Sequence, residues 1–177
     1  DLRARSHNNG RLDIRSILEN ATNFENTLLE LMISPSREEA YQVLMNNPEL
    51  LLGITEHGLN EILSEGEPSG RSILYYLAVN DLDRAILKAN PDLVEKINQT
   101  GLNSVDDRPG PIRGMSALYF LAATRRGKEI LESNPELVAK ITPQGLNSIP
   151  YEGESKSLGV LYHLVNPNHG LKILIYI

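Results

Sequence analysis

The chain repeats itself at an interval of 43 to 44 residues, and this period constrains its fold more than any other feature of the sequence. Three markers keep the interval independently of one another: an Asn-Pro pair, a Gly-Leu-Asn triplet and a Leu-Tyr pair. Such a period is typical of arrays in which each unit is one supersecondary element that packs on its neighbours. The markers begin at Asn47, Asn90 and Asn134, at Gly58, Gly101 and Gly145, and at Leu74, Leu118 and Leu161.

Each unit carries two apolar segments with helical spacing. Residues 116–124 predict one helix, and after the basic residues 125–128 a second helix ends at Ile130 and Leu131. We expect the two helices to be antiparallel and the basic residues to form a solvated turn between them. The same pair recurs in residues 72–87 and 159–174, and residues 28–44 form a degenerate first copy.

The Asn-Pro pair predicts a third short helix in each unit. Asn is a good N-cap, Pro fits the first helical position, and the acidic residue that follows favours the positive end of the helix dipole. We expect this helix to end at the glycine of the triplet in a left-handed C′ position, as at Gly101, with Ile97 packed on Leu102. Pro143 is expected to end the third copy one turn early.

The predicted core consists of the apolar residues that recur in the first two helices of each unit. Polar stretches rich in Gly, Pro, Ser and acidic residues follow each triplet and are predicted to be loops. Because every unit has the same helix order, the loops are expected on one side of the stack, where repeat arrays bind their partners. The core residues are Leu74, Leu118, Leu161, Ile86, Leu87, Ile130, Leu131, Ile173 and Leu174.

The segment from Gly114 to Leu131 resembles an ankyrin repeat. Its Gly-Met-Ser-Ala-Leu-Tyr-Phe-Leu-Ala-Ala run matches the ankyrin motif with Ser116, Leu118 and Tyr119 at the motif's Thr, Leu and His positions, while the Pro and His of that motif are absent. The period also exceeds the ankyrin value of about 33 residues. The resemblance implies an all-α solenoid of divergent, long-period ankyrin-like units. The armadillo or HEAT class, with a period of about 40–47, is the alternative.

The resemblance covers roughly residues 27–177, which would hold about four units with the last one truncated. Residues 1–26 are polar and are interpreted as an N-terminal segment or cap. Long-period arrays of this kind are similar to those of effector proteins that intracellular bacteria inject into host cells. The resemblance therefore implies a cytoplasmic protein, translocated into the cytosol of a host cell, that binds host proteins.

Composition excludes several classes of function. Cysteine is absent, which excludes disulfides, Cys-ligated zinc and a thiol nucleophile and suits a reducing cytosol. The net charge of −6 disfavours nucleic acid as a partner. No apolar run approaches the roughly 20 residues of a membrane span.

No residues form a convincing catalytic constellation. Asp106 with Asp107, and Glu152 with Glu154, resemble carboxylate pairs, but acid–base catalysis needs a buried pair with shifted pKa values, and loop acids are normally solvated. The four histidines lack the spacing of zinc ligands, and no phosphate-binding or nucleophile-elbow motif occurs. We predict a protein that is not an enzyme and has no cofactor, metal or small-molecule substrate.

Two aromatic columns run through the repeats. Tyr75, Tyr119 and Tyr162 hold one position in three units and are predicted to pack between them. The adjacent column changes from Tyr to Phe to His, a variation that fits either a surface that binds a partner protein of unknown identity or a half-exposed part of the core. The predicted binding residues, this column and the loop charges, are Tyr76, Phe120, His163, Glu65, Glu67, Asp106, Asp107, Arg108, Glu152 and Glu154.

Two other functions stay open at this stage. The chain could be a substrate-recruiting or structural arm of a larger enzyme whose catalytic domain lies outside it. It could also self-associate through the apolar residues 173–177, because terminal repeats normally need a polar outer face.

Overall fold

A computed structural model describes residues 24–34, 36–63, 70–110, 112–151 and 158–165. These residues are mostly helical, and within them β-type pairing is limited to one isolated antiparallel bridge between Val105 and Ser116. The predicted all-α class is confirmed. The helices of the described ranges are α1 (Phe24–Ile33), α2 (Arg37–Asn46), α3 (Glu49–Leu52), α4 (Glu56–Asn60), α5 (Ile73–Val79), α6 (Asp81–Ala89), α7 (Pro91–Glu95), α8 (Gln99–Asn103), α9 (Ala117–Ala123), α10 (Arg125–Ser133), α11 (Pro135–Val138), α12 (Pro143–Leu146) and α13 (Val160–Val165).

The helices follow one another in a recurring order of four, and equivalent helices pack on one another. The first helices form the row α1, α5, α9 and α13, and the second helices form the row α2, α6 and α10. The short fourth helices α4, α8 and α12 make a further row, and α3 lies against α7. The first helices α1, α5 and α9 also contact the second helix of their own unit, so the two long rows enclose the core.

The core lies where the first and second helices meet. Leu74 and Leu118 are fully buried, as are Ile86, Leu87 and Leu131. Each such side chain contributes roughly 1.5–3 kcal/mol by leaving water. The predicted core is thus confirmed for these residues and for Ile130, which is 2 % exposed.

The prediction for Leu161 is wrong. Its side chain is 47 % exposed, whereas the equivalent Leu118 is fully buried. Leu118 lies in α9, which α13 covers, but no further first helix follows α13 among the residues that the structure describes. Ile173 and Leu174 lie outside those residues.

The predicted third helix is in fact two helices separated by a sharp break. α7 ends at Glu95, Ile97 lies in the connection, and Asn98 begins α8 by accepting a hydrogen bond from the backbone N–H of Gly101 at 3.0 Å. Gly101 is therefore inside a helix, and the predicted left-handed cap is wrong. Thr142 begins α12 in the same way, its hydroxyl accepting from the N–H of Gly145 at 3.0 Å, and Pro143 is the first residue of that helix and does not end one.

The asparagine of the Asn-Pro pair does not cap the third helix with its side chain, as had been expected. Pro91 and Pro135 do occupy the first helical position. The Asn90 side chain, however, makes no cap contact with α7; its Nδ2 donates back to the carbonyl of Ile86 at 2.7 Å, and Asn134 does the same to Ile130 at 2.6 Å. The asparagine thus satisfies an orphan carbonyl at the end of the second helix.

The basic residues 125–128 do not form an inter-helix turn. Thr124 alone separates α9 from α10, and its hydroxyl accepts from the N–H of Gly127 at 3.2 Å. The cluster is the first turn of α10, and its Lys128 is 8 % exposed. A Cβ on Gly127 would lie 2.7 Å from the carbonyl carbon of Leu121, so the glycine lets the two helices approach closely.

The loops before the first helices close in the same way in two successive units. The N–H of Leu63 donates to the Arg71 carbonyl at 3.1 Å, and the N–H of Asp106 donates to the Met115 carbonyl at 3.0 Å. Neighbouring loops also touch, since the N–H of Tyr151 donates to the Arg113 carbonyl at 2.9 Å. The described parts of neighbouring loops therefore contact one another where the chain leads into the first helices.

Candidate functional site

Six aromatic rings run across the first helices in an alternating series, here called the aromatic row. Between units, Tyr75 meets Phe120 edge to face with centroids 5.5 Å apart, and Tyr119 meets His163 at 5.3 Å. Neighbouring rings on one helix make the same kind of contact. The aromatic row consists of Tyr76, Tyr75, Phe120, Tyr119, His163 and Tyr162.

The two predicted columns of the row differ in burial. Tyr75 and Tyr119 are buried between units, as expected of packing residues, and burial raises the pKa of the Tyr75 hydroxyl. The packing prediction is wrong for Tyr162, which is 48 % exposed. In the second column Phe120 and His163 are half-buried, which leaves part of each ring open to a partner. Tyr76 is buried at 9 % exposure and offers less surface than expected.

His163 acts as an uncharged ring in this row. Burial lowers its pKa, and the positive charge of Lys128 lowers it further, so the imidazole is neutral at pH 7. Its Nε2 is buried and has no hydrogen-bond partner among the residues that the structure describes. His163 therefore presents an aromatic face, like Phe120 one unit earlier.

Asp106 lies beside the row and is not the solvated loop acid that its position predicted. Its side chain is 1 % exposed and accepts hydrogen bonds from Arg71 Nε at 2.7 Å and Arg108 Nε at 3.2 Å. Burial alone would raise the pKa of Asp106, but the hydrogen bonds from Arg108 and Arg71 outweigh it, and the pKa falls below its usual range. The residue is an ionised bridge between two loops.

Arg71 connects this bridge to the rings. Its guanidinium lies 5.2 Å from the centroid of Tyr75 and 5.8 Å from that of Tyr76, within the range of a cation–π contact. Arg71 was not among the predicted site residues. Its position immediately before the N-cap Ser72 carries no signal that would have revealed the contact with Asp106, which lies 35 residues away in sequence.

The structure thus brings together Tyr76, Phe120 and His163 in the row, with Asp106 and Arg108 beside it. Asp107 is exposed next to this cluster. The other predicted loop residues, Glu65, Glu67, Glu152 and Glu154, lie outside the described residues.

No group of three or more His, Asp or Glu residues that could hold a metal ion occurs within the described chain. Nor does any helix there have the length and apolar character needed to cross a membrane.

The chain matches no protein-family model, and neither a curated protein nor a solved structure proved similar to it.

Proposed function

We propose that the chain is a solenoid of ankyrin-like units that binds a partner protein through the aromatic row and the adjoining loops. One observation carries the proposal. Three equivalent positions in successive units hold Tyr76, Phe120 and His163, three different rings on a constant support formed by Tyr75 and Tyr119. A constant support with a varied outer column fits a surface adapted to one particular partner.

The row has the physical properties of a protein-binding surface. Aromatic residues and arginine dominate binding energy at interfaces, because they bury large areas with few rotatable bonds. Edge-to-face contacts hold Phe120 between Tyr75 and Tyr119, so little rotamer freedom is left to lose on binding. Arg71 is equally constrained by Asp106.

The exposed carboxylate of Asp107 beside the row favours a partner with a basic group near an apolar anchor, because Asp106 is already paired with Arg71 and Arg108. Asp107 is exposed there, and the chain carries 23 acidic against 17 basic residues. Such charges act mainly on the rate of association and on the choice of partner.

The test is affinity capture from a eukaryotic cell lysate, chosen because the repeats resemble those of effectors that act on host proteins. The wild-type chain is compared with the double variant Phe120→Ala, His163→Ala and with a control, Asp92→Ala, Glu136→Ala, whose changes lie at exposed sites on the third helices. Captured proteins are identified by mass spectrometry, and circular dichroism checks that each variant is folded.

We expect a partner that the wild type and the control retain and that the row variant loses. A partner held equally by the folded row variant would refute the assignment of the row. Loss in the control as well would place the binding surface elsewhere.

A further inference from the structure

In the segment that follows α12, exposed side chains alternate with buried ones. Ser148 is buried, with its hydroxyl 3.0 Å from that of Ser116, and Pro150 is buried as well. Ile149 and Tyr151 are 43 % and 57 % exposed. Such an alternation is typical of extended backbone, in which every second side chain lies on the same face. The segment therefore presents an isoleucine and a tyrosine together at the surface.

The preceding loop holds the Tyr151 ring in place. The backbone N–H of Tyr151 donates to the Arg113 carbonyl at 2.9 Å. Gly114 has a φ of +86°, and a Cβ there would lie 2.8 Å from Cε2 of Tyr151 and closer still to the Ile149 carbonyl. Glycine alone combines this left-handed conformation with so close an approach. The ring is thus fixed on the neighbouring loop although more than half of the side chain is exposed.

The exposure of Tyr151 is a property of its position in the repeat. Asp107 holds the equivalent position one unit earlier and is exposed too. Asp106 aligns with Pro150, and both are buried. Because a further first helix, α13, follows Asp107 in the structure and leaves it exposed, this position faces solvent within the array itself.

The guanidinium of Arg113 covers one face of the Tyr151 ring. Its Cζ lies 4.8 Å from the ring centroid, within the range of a cation–π contact. Arg113 is exposed, and no carboxylate or carbonyl of the described residues accepts a hydrogen bond from its guanidinium. The donors of this side chain are therefore open to an incoming group.

This lack of a partner distinguishes Arg113 from the other cations of the described ranges. Every other arginine there pairs with a carboxylate, and so does Lys88. Lys96 and Lys140 donate to backbone carbonyls, and Lys128 is buried. Among these residues, Arg113 is consequently the exposed cation whose charge is met only by an aromatic ring and by water.

We propose that Arg113 and Tyr151 form a docking point for the carboxylate of an acidic side chain in the partner protein. The guanidinium offers N–H donors in the fork that matches a carboxylate, and the Tyr151 hydroxyl is a further donor. The exposed Ile149 favours an apolar residue next to the acidic one. The site rests on the proposed function, since its ligand belongs to the bound protein, and it adds a contact of opposite charge to that of Asp107.

The site needs little ordering when it binds. The Arg113 N–H donates to the Gly110 carbonyl at 3.1 Å, and the Gly114 N–H donates to the Asp106 carbonyl at 2.7 Å, so the backbone under the guanidinium is held on both sides. Stacking on Tyr151 restricts the Arg113 side chain and leaves the edges of the guanidinium available for hydrogen bonds. A side chain that is restricted beforehand loses less conformational entropy on binding.

The test is a titration of the isotope-labelled chain, at low ionic strength, with the peptide acetyl-Ala-Leu-Glu-Leu-Ala-amide. The Nε–H resonances of Arg113 and Arg125 and the backbone amide of Tyr151 are recorded. Arg125 is the internal control, because its side chain is 88 % exposed but already pairs with Glu129 at 3.2 Å. We expect saturable shifts at Arg113 and Tyr151 in the millimolar range, whereas Arg125 should respond only at about tenfold higher peptide or not at all.

A second peptide and three variants decide the specificity. The peptide with Gln in place of Glu should bind about tenfold more weakly, because a hydrogen bond to a charged group is stronger than one to a neutral group. Arg113→Gln should abolish the shift at the Tyr151 amide, and Tyr151→Leu should reduce the response of Arg113 to that of Arg125. The variant Phe120→Ala, His163→Ala should respond like the wild type, so a failure of the aromatic row and a failure of this site are told apart.

Equal shifts at Arg113 and Arg125, or equal responses to the two peptides, would reduce the contact to general ion pairing and overturn the proposal. An undiminished response in the folded Tyr151→Leu chain would overturn it as well, and so would the absence of shifts throughout the millimolar range.

Discussion

Replacing Asn103 by Ala should destabilise the protein far more than the same replacement at Asn147, although both residues end equivalent fourth helices. Asn103 is 5 % exposed and makes three hydrogen bonds, of which those with Lys140 and Thr142 cross the junction between units. Its loss leaves a carbonyl and an N–H without partners in a partly buried site. Each orphaned group costs about 1–3 kcal/mol, so we expect a total of roughly 2–6 kcal/mol.

The matched variant is Asn147→Ala, which removes one local hydrogen bond at an exposed position. Its expected cost is within about 0.5 kcal/mol. Urea unfolding followed by circular dichroism measures both values, and hydrogen exchange at the Thr142 amide shows whether the junction itself opens. Because an array can unfold in parts, the slope of each transition is compared before free energies are extracted.

Equal destabilisation by the two variants would refute the claim that the long-range hydrogen bonds of Asn103 stabilise the junction between units. A large loss of stability in both would mean that Asn147 is engaged in the same way as Asn103. A small effect in both would mean that the long-range hydrogen bonds of Asn103 contribute little beyond those that water would replace.

Three further outcomes follow from packing and charge. Gly101→Ala should lower the melting temperature more than Gly58→Ala. The new Cβ at position 101 meets the short, fixed side chain of Asn60, whereas the Cβ at position 58 meets the flexible side chain of Glu25, which can turn aside. Equal shifts of the melting temperature would contradict this steric argument. Leu118→Ala should cost about 2–5 kcal/mol in urea unfolding and Leu161→Ala under about 1 kcal/mol, since only the first side chain is buried. Asp106→Asn should cost about 2–3 kcal/mol at pH 7, because two guanidinium groups lose their carboxylate. The pKa of Asp106 is lowered in the folded protein, so its contribution to the free energy of unfolding is present above the pKa of the unfolded state and is lost as the pH falls through the folded-state pKa. A difference in stability between wild type and variant that persists below the folded-state pKa would contradict the role of Asp106 as an ionised counter-ion.

The period and the apolar spacing were sufficient to predict the two long helices of each unit. Leu118, Ile130 and Leu131 recur at positions that only helices facing one another can bury together, and the structure buries them. Periodicity reports on burial within a unit that has neighbours on both sides. It therefore failed at Leu161, where no further unit follows in the described chain.

The short helices were harder to predict because one residue type serves several purposes. Glycine at position 101 fits either a left-handed cap or a close approach, and the sequence alone favoured the first. A usable signal was present three residues earlier, where Thr55, Asn98 and Thr142 are good N-caps. An N-cap three residues before the glycine indicates a helix start, which excludes a helix end at the same place.

The candidate site was predicted in part. The position of Phe120 and His163 on the first helices followed from the repeat register, and the structure leaves both rings half-open. The burial of Asp106 could not be predicted, because its partner Arg71 lies on another loop 35 residues away and composition does not report on contacts of long sequence separation. Loop acids are solvated on average, and this one is a buried counter-ion.

At Thr55 and Gly58, Glu25 takes the place that Asn60 and Asn103 take at the two later junctions between units. Duplication of an internal unit would add a junction whose hydrogen bonds are already encoded by Lys96 and Asn103 or their equivalents, without new chemistry. A unit inserted before Thr55 would instead have to displace Glu25 and replace Gly53 by a lysine.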